Sequence, residues 1–290
     1  MIEIKLGTIA QTDRGAYIEL DKEISSSEHE KLLKAISELH FYESNLRLLE
    51  MIILNNNELT DLANTGKDLV HNSLSFTGDK RAYYVHHLNM NRKFLNYLSS
   101  IRSFLDHIET NTKRRYGKES YKIQEFKKIT GYLYDSYFAY RFLYKLRNYS
   151  LHCGLPIDDI ELSVTKVGEN SFRPEYKVEF DARELLANYA EWGPVKSDLK
   201  KMDKFSVFEV TNDMFPILTE LWQKIMQLFE PELKEAISYI TKETGHLRTD
   251  HNHVSIFTNI IYENDSPRYF TNQIIPYDII DSILSELNSK

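Results

Sequence analysis

Leu146-Arg147-Asn148-Tyr149-Ser150-Leu151-His152-Cys153-Gly154-Leu155-Pro156 ends an aromatic-rich helical segment and sets an arginine and a histidine with four residues between them. Gly154 suits the left-handed position after a helix, and Pro156 cannot continue one. The guanidinium is a fixed fork that fits a phosphate, and the imidazole transfers protons near neutral pH. A phosphate holder and a proton carrier at one helix end are candidate chemistry.

The helix reads backward from this end to about Glu119, with an interruption expected at Gly131. An ideal helix turns about 100° per residue, so Arg147 and His152 lie roughly 140° apart. Arg141, Lys145, Asn148 and His152 share one face at steps of four, three and four. Arg147 falls on the flank of Leu133, Tyr140, Leu143, Tyr144 and Leu151. An arginine on such a flank needs a carboxylate, a phosphate or a ring face. Two plainer readings fit the same residues. Arg147 is then a structural arginine paired with an acid on the neighbouring helix. His152 then only complements the negative end of the helix dipole.

The preceding helix is expected over residues 80–115, with Phe94, Leu98, Ile101, Leu105 and Ile108 on one face and Gly117 as its stop. Arg102, Asp106 and Glu109 edge that face. Asp106 or Glu109 can fix the Arg147 fork, or Arg102 and Asp106 simply pair at the surface. Residues 111–130 carry seven basic residues against two acidic, with Lys113, Arg114 and Arg115 in a row. Such a run is either a solvated face or an electrostatic patch for RNA.

Toward the N-terminus, Ile2–Leu6 and Ala16–Leu20 alternate as two strands turning near Asp13-Arg14-Gly15. Ser25-Ser26-Ser27 with Glu28 marks a helix start, and the helix is expected to end near Gly66. A polar segment at Ser73–Asp79 follows. Beyond the motif, Ile160–Val167 and Tyr176–Phe180 read as a hairpin, Arg183–Glu191 as a short helix, and 212–244 as a long helix with Pro231 as a kink or join. The tail holds two strands and a last helix, Tyr277–Leu287. No internal repeat is visible. Three segments are expected: 1–79, an N-terminal β-hairpin and helix; 80–245, a helical domain with a hairpin inserted at about 159–181; and 246–290, a small β/α extension.

The 290 residues carry 27% charged and 42% hydrophobic side chains with net charge −7, the profile of a globular domain and not of a general nucleic-acid binder. Ten glycines and seven prolines favour long helices over many turns. A single cysteine, Cys153, leaves no intrachain disulfide and no cysteine-rich zinc site, and it fits a reducing cytoplasm. No apolar run reaches membrane-spanning length, so no membrane partner is expected. His246, Asp250, His251 and His253 cluster in the tail and read as a polar loop before a metal site. The adjacent His86 and His87 point apart on a helix. The aromatic run from Tyr132 to Tyr149 reads as packing before base stacking.

Arg147 to His152, with Asn148 directly after the arginine and the helix end just beyond, resembles the R-x4-H motif of the HEPN superfamily. The upstream segment Leu95–Glu109 resembles that family's earlier helix, and the resemblance covers about residues 80–155. It implies a mainly α fold: an HEPN-like antiparallel helical bundle with small β-hairpin additions. It implies a metal-independent endoribonuclease with no cofactor, in which Arg147, His152 and Asn148 are catalytic and Arg102, Asp106 and Glu109 auxiliary. RNA would lie along Arg141, Lys145, Lys113, Arg114 and Arg115. The partners implied are RNA, a second copy in a homodimer, and an antitoxin or defence protein. The alternative is a catalytically inactive HEPN-like module that holds RNA, a nucleotide or a partner. Some family members carry a tyrosine two residues after the histidine, where a partner nucleotidyltransferase acts. That position here is Gly154.

Overall fold

The computed structural model describes residues 3–13, 15–72, 80–158, 160–169, 171–264 and 266–288. The fold is mainly α, with small antiparallel sheets. The segment Ser73–Asp79 lies outside the described residues, as do Arg14 and Asn170 of the two expected turns. Among the described residues no helix is long and apolar enough to cross a membrane.

The chain forms two compact units, Met1–Ser44 with Phe229–Lys290, and Asn45–Leu228. The division differs from the three expected segments because the two ends of the chain share a sheet. Strand β1 (Ile4–Thr12) pairs with β2 (Gly15–Glu23) and also with β6 (Asn252–Glu263), which pairs with β7 (Ser266–Ile274). The order is β2-β1-β6-β7, all antiparallel. Helix α1 (Ser26–Asn72) follows β2, and α8 (Tyr277–Asn288) follows β7.

These are two hairpin–helix modules related by a local two-fold, an internal repeat that the sequence does not display. Leu6 pairs with Ile256 at the centre, and Ile4↔Thr258 mirrors Thr8↔Val254. Each module closes alike: the Ile24 amide donates to the Ile4 carbonyl at 2.9 Å, and the Ile275 amide to the Val254 carbonyl at 2.9 Å. The modules differ by one residue, absorbed in β6 where the register slips and Asn259 takes φ 54°. Ile4, Leu6, Ile24, Leu32, Val254, Ile256, Ile275 and Ile283 supply buried side chains. Ser25 and Glu28 form a reciprocal capping box at the start of α1. The Ser25 amide donates to Glu28 Oε2 at 2.7 Å, and the Glu28 amide to Ser25 Oγ at 3.2 Å.

The second unit holds the rest of α1, then α2 (Lys80–Tyr116), α3 (Tyr121–Ser136), α4 (Phe138–His152), α5 (Ala182–Asn188), α6 (Val195–Leu199) and the first part of α7 (Val207–Thr244). Strands β3 (Ile160–Lys166), β4 (Phe172–Asp181) and β5 (Lys204–Ser206) make a three-stranded sheet, so the expected hairpin gains a third strand. Phe94, Leu98, Ile101, Leu105 and Ile108 are all buried, and Gly117 closes α2 at φ 92°.

Three expectations need correction. Helix α1 runs through Gly66 to Asn72. A Cβ at Gly66 would stand 2.5 Å from Tyr176 and 2.8 Å from His86, so this glycine serves close packing and not termination. The break before α4 falls at Tyr137, not Gly131. Tyr137 adopts φ −118°, ψ 123°, and its hydroxyl donates to Glu220 at 3.0 Å, a tertiary anchor that outweighs local glycine propensity. Helix α7 starts at Val207 and continues through both Pro216 and Pro231.

Candidate functional site

Helix α4 is seated by aromatic packing. Phe142 is fully buried and meets Phe138, Phe180, Phe205 and Trp192 at centroid distances of 5.3, 5.1, 5.2 and 6.0 Å. Tyr149 stacks on Trp192 at 5.9 Å, and the Trp192 indole donates to the Leu185 carbonyl at 2.9 Å. Tyr140, Phe142 and Tyr149 of the aromatic run are therefore core, while Tyr132 is exposed. Tyr140 is buried, and burial holds its phenol well above the ordinary tyrosine value.

The segment after α4 is clamped by α2. Asn91, 1% exposed, donates to the Ile157 carbonyl at 2.8 Å and accepts from the Ile157 amide at 3.0 Å. His87 Nε2 donates to the same carbonyl at 3.0 Å. The Tyr83 hydroxyl makes the same two-way contact with the Ile160 backbone, 3.2 Å each way. Sequence reasoning missed this clamp; its signal was polar side chains on α2 at the helical steps 83, 87 and 91. His86 turns the other way, onto the Tyr176 hydroxyl at 2.8 Å, and burial lowers its pKa.

Helix α4 runs opposite to α2, since Arg102 lies over the Tyr144 ring at 4.8 Å while Asn91 holds Ile157. Arg147, Asn148 and His152 thus fall beside the N-terminal half of α2. Arg147 and Asn148 are half-buried and His152 is exposed. Arg147 Nε is buried with no hydrogen-bond partner, and no ion pair engages the residue among the described residues. By helical spacing it shares a flank with the buried Tyr140 and Leu143. His152 also lacks a hydrogen-bond partner among the described residues.

Asp106 and Glu109 do not fix the Arg147 fork. Asp106 accepts from Arg102 Nε at 2.8 Å, and Glu109 pairs with Lys113 at 2.6 Å, each within one helical turn of its own helix. The expected RNA-contacting residues do not converge either. Arg141 is committed to Asp198 of α6 at 2.8 Å, with its side chain only 16% exposed. Lys145 lies against Gly193. Lys113, Arg114 and Arg115 close α2 at the end remote from the motif, roughly 16 to 20 Å along the axis from Arg102.

One acidic pair near the motif was not foreseen. Asp158 stands beside Glu184, and its negative charge raises the Glu184 carboxyl above its ordinary value. Burial first, then the charges of Cys153, Asp158 and Glu184, raise the Tyr149 phenol. Among the described residues no three His, Cys, Asp or Glu side chains gather where they can hold a metal; in the tail, His246 instead reaches Asp21 at 3.3 Å. Compared with family models, curated proteins and solved structures, the chain matches none.

Proposed function

We propose that this chain is an HEPN-like endoribonuclease that cleaves RNA through its own 2′-hydroxyl without a metal. It acts as a cytoplasmic homodimer in antiphage defence or as a toxin; that biological role rests on the resemblance alone. The observation that carries the reading is Arg147 Nε, a buried donor on a cationic group with nothing to bond. Leaving such a donor unpaired costs about 1–3 kcal/mol, and because the atom is closed to solvent a phosphate oxygen meets it only as the side chain turns toward the strand.

In this reading Arg147 grips the scissile phosphate, and Asn148 orients the phosphate or the imidazole. The 2′-oxygen attacks phosphorus as its proton passes to a base. The bond to the 5′-oxygen breaks as an acid protonates the leaving group. The products are a 2′,3′-cyclic phosphate and a 5′-hydroxyl. His152 supplies one of these two proton transfers, and the same motif of a second copy supplies the other. Arg102, stacked on Tyr144, is a positioning residue. Lys145 is a near phosphate contact, and Lys113, Arg114 and Arg115 meet the strand further along. Arg141 is bound by Asp198 and is not part of the set.

The second reading is an RNA- or partner-binding module without cleavage. The absence of any hydrogen bond that orients His152 among the described residues favours it. Purified protein incubated with mixed RNA in EDTA, beside Arg147→Ala and His152→Ala, separates the two. The nuclease reading expects decay with the unsubstituted chain alone and 2′,3′-cyclic ends on the products. Binding without decay selects the module, and equal decay in all three samples ends the nuclease reading.

A further inference from the structure

The four-stranded sheet leaves two edges, β2 and β7, and they are not alike. β2 carries Glu19, Asp21 and Glu23 with Lys22, the charged edge that resists further strand pairing. β7 carries Pro267 and Arg268 beside its hairpin turn, and from Tyr269 to Ile274 it bears no charge. Tyr269 is 61% and Ile274 48% exposed.

The ladder shows which backbone groups β7 presents. The Ile275 amide bonds the Val254 carbonyl, with Ser255↔Ile274 and Phe257↔Asn272 as register partners. Bonded pairs alternate along an antiparallel ladder. Thr271 and Gln273 therefore bond toward β6, while the amides and carbonyls of Phe270, Asn272 and Ile274 point outward.

We propose that this outward edge docks a second copy of the chain, β7 against β7 in antiparallel register about Asn272. Charge selects this occupant. Two β7 strands meet without like charges opposed, whereas two β2 strands would set acid against acid. β2 joined to β7 of the next copy is a head-to-tail contact that need not close. The two-fold pairing sets Phe270 opposite the second copy's Ile274 and brings the Asn272 amides together at the axis. Phe270 is already held by Phe257 in an edge-to-face contact at 5.2 Å. About six backbone hydrogen bonds form. The nuclease reading also calls for a second copy, but this inference rests on the β7 edge alone and not on the α4 motif.

Sedimentation velocity over a wide concentration range tests it on the full chain. The expected mass rises from 34.2 kDa toward twice that value. Asn272→Pro removes an outward amide without touching the β6 ladder, and Ile274→Lys puts a charge on the edge opposite the second copy's Phe270. Both are expected to stay monomeric at every concentration with an unchanged circular dichroism spectrum. Should Asn272→Pro misfold, Ile274→Lys alone decides. Glu19→Lys on β2 is expected to leave the mass curve unchanged. A wild-type chain that stays monomeric overturns the proposal and leaves the edge to another protein's strand. A dimer that survives Ile274→Lys, or that Glu19→Lys disrupts, overturns it as well.

Discussion

Two basic regions of the helical unit carry their charge in opposite ways. At the end of α2, Lys113 is paired to Glu109 within one turn and Arg114 is exposed, so both charges are met by a neighbour or by water. At the end of α4, Arg147 brings a guanidinium nitrogen into a buried position and leaves it unbonded. The first region is far denser in charge, yet its unbonded buried atom is the neutral Thr112 hydroxyl, whereas in the second the unbonded atom belongs to a cation. The same contrast appears within α4, where Arg141 is held by Asp198 at 2.8 Å and Arg147 by nothing comparable among the described residues. Density of charge is therefore a poor guide to a site, and an account of partners is a better one.

The strongest way to break this contrast is to remove the motif's own groups. His152→Ala is expected to lower the rate of RNA cleavage roughly 10²–10⁴-fold, the range for a positioned proton-transfer group. Arg147→Ala is expected to lower it roughly 10²–10³-fold, as for loss of a donor to developing charge. Single-turnover assays on a defined RNA read both, and thermal melts of the variants show whether the fold survives. Rates within threefold of wild type at both positions would reduce the α4 end to structure.

Packing offers the next test, because the motif depends on the seat of α4. Phe142 meets four other rings, and Phe142→Ala is expected to cost about 3–5 kcal/mol of stability in urea unfolding. A cost below ~1 kcal/mol would mean the aromatic cluster does not hold the helix.

Local chemistry made much of this readable in advance. Ser25 and Glu28 cap α1, Gly117 ends α2 at positive φ, and Pro156 follows the end of α4, each within a few residues of its cause, whereas Gly154 does not take the left-handed backbone expected of it. What escaped depended on partners distant in the chain. The β1–β6 pairing joins Ile4 to Thr258, and the two modules share spacing and apolar positions with little identity, so the repeat was invisible without the register. Gly66 reads as a stop until Tyr176 and His86 are placed against it. Arg141 reads as free until Asp198, 57 residues away, is brought beside it. The site was legible as a motif, and its partner account was not.

The α2 clamp gives a smaller effect on the same end of α4. Asn91→Ala strands the amide of Ile157, which is fully buried, and is expected to cost about 1–3 kcal/mol in urea unfolding. A neutral result would show that the backbone there relaxes to other partners. His86 adds a pH signature. Burial holds its pKa below the ordinary histidine value, so the unfolded chain takes up this proton more readily. Its contribution is full above about pH 7 and is lost as pH falls through the unfolded value near ~6.5 toward the lower folded one. Melting temperatures across that window are expected to fall less steeply in His86→Gln than in wild type, and parallel curves would remove His86 from the account.

The smallest effect belongs to the basic turn that closes α2, and it sharpens the comparison from the other side. Arg114 is exposed and roughly 18 Å along the axis from Arg102, and the motif lies further still in the opposite direction. A dinucleotide held by Arg147 cannot span that distance, whereas a long RNA can. Arg114→Ala is therefore expected to leave dinucleotide cleavage within threefold of wild type. On a long RNA it should weaken binding modestly and reduce the slope of log affinity against log salt by about one. A dinucleotide rate that falls as far as in Arg147→Ala would show that the two basic regions act as one site. An unchanged salt slope on long RNA would show that the charge-dense turn is only a solvated helix end.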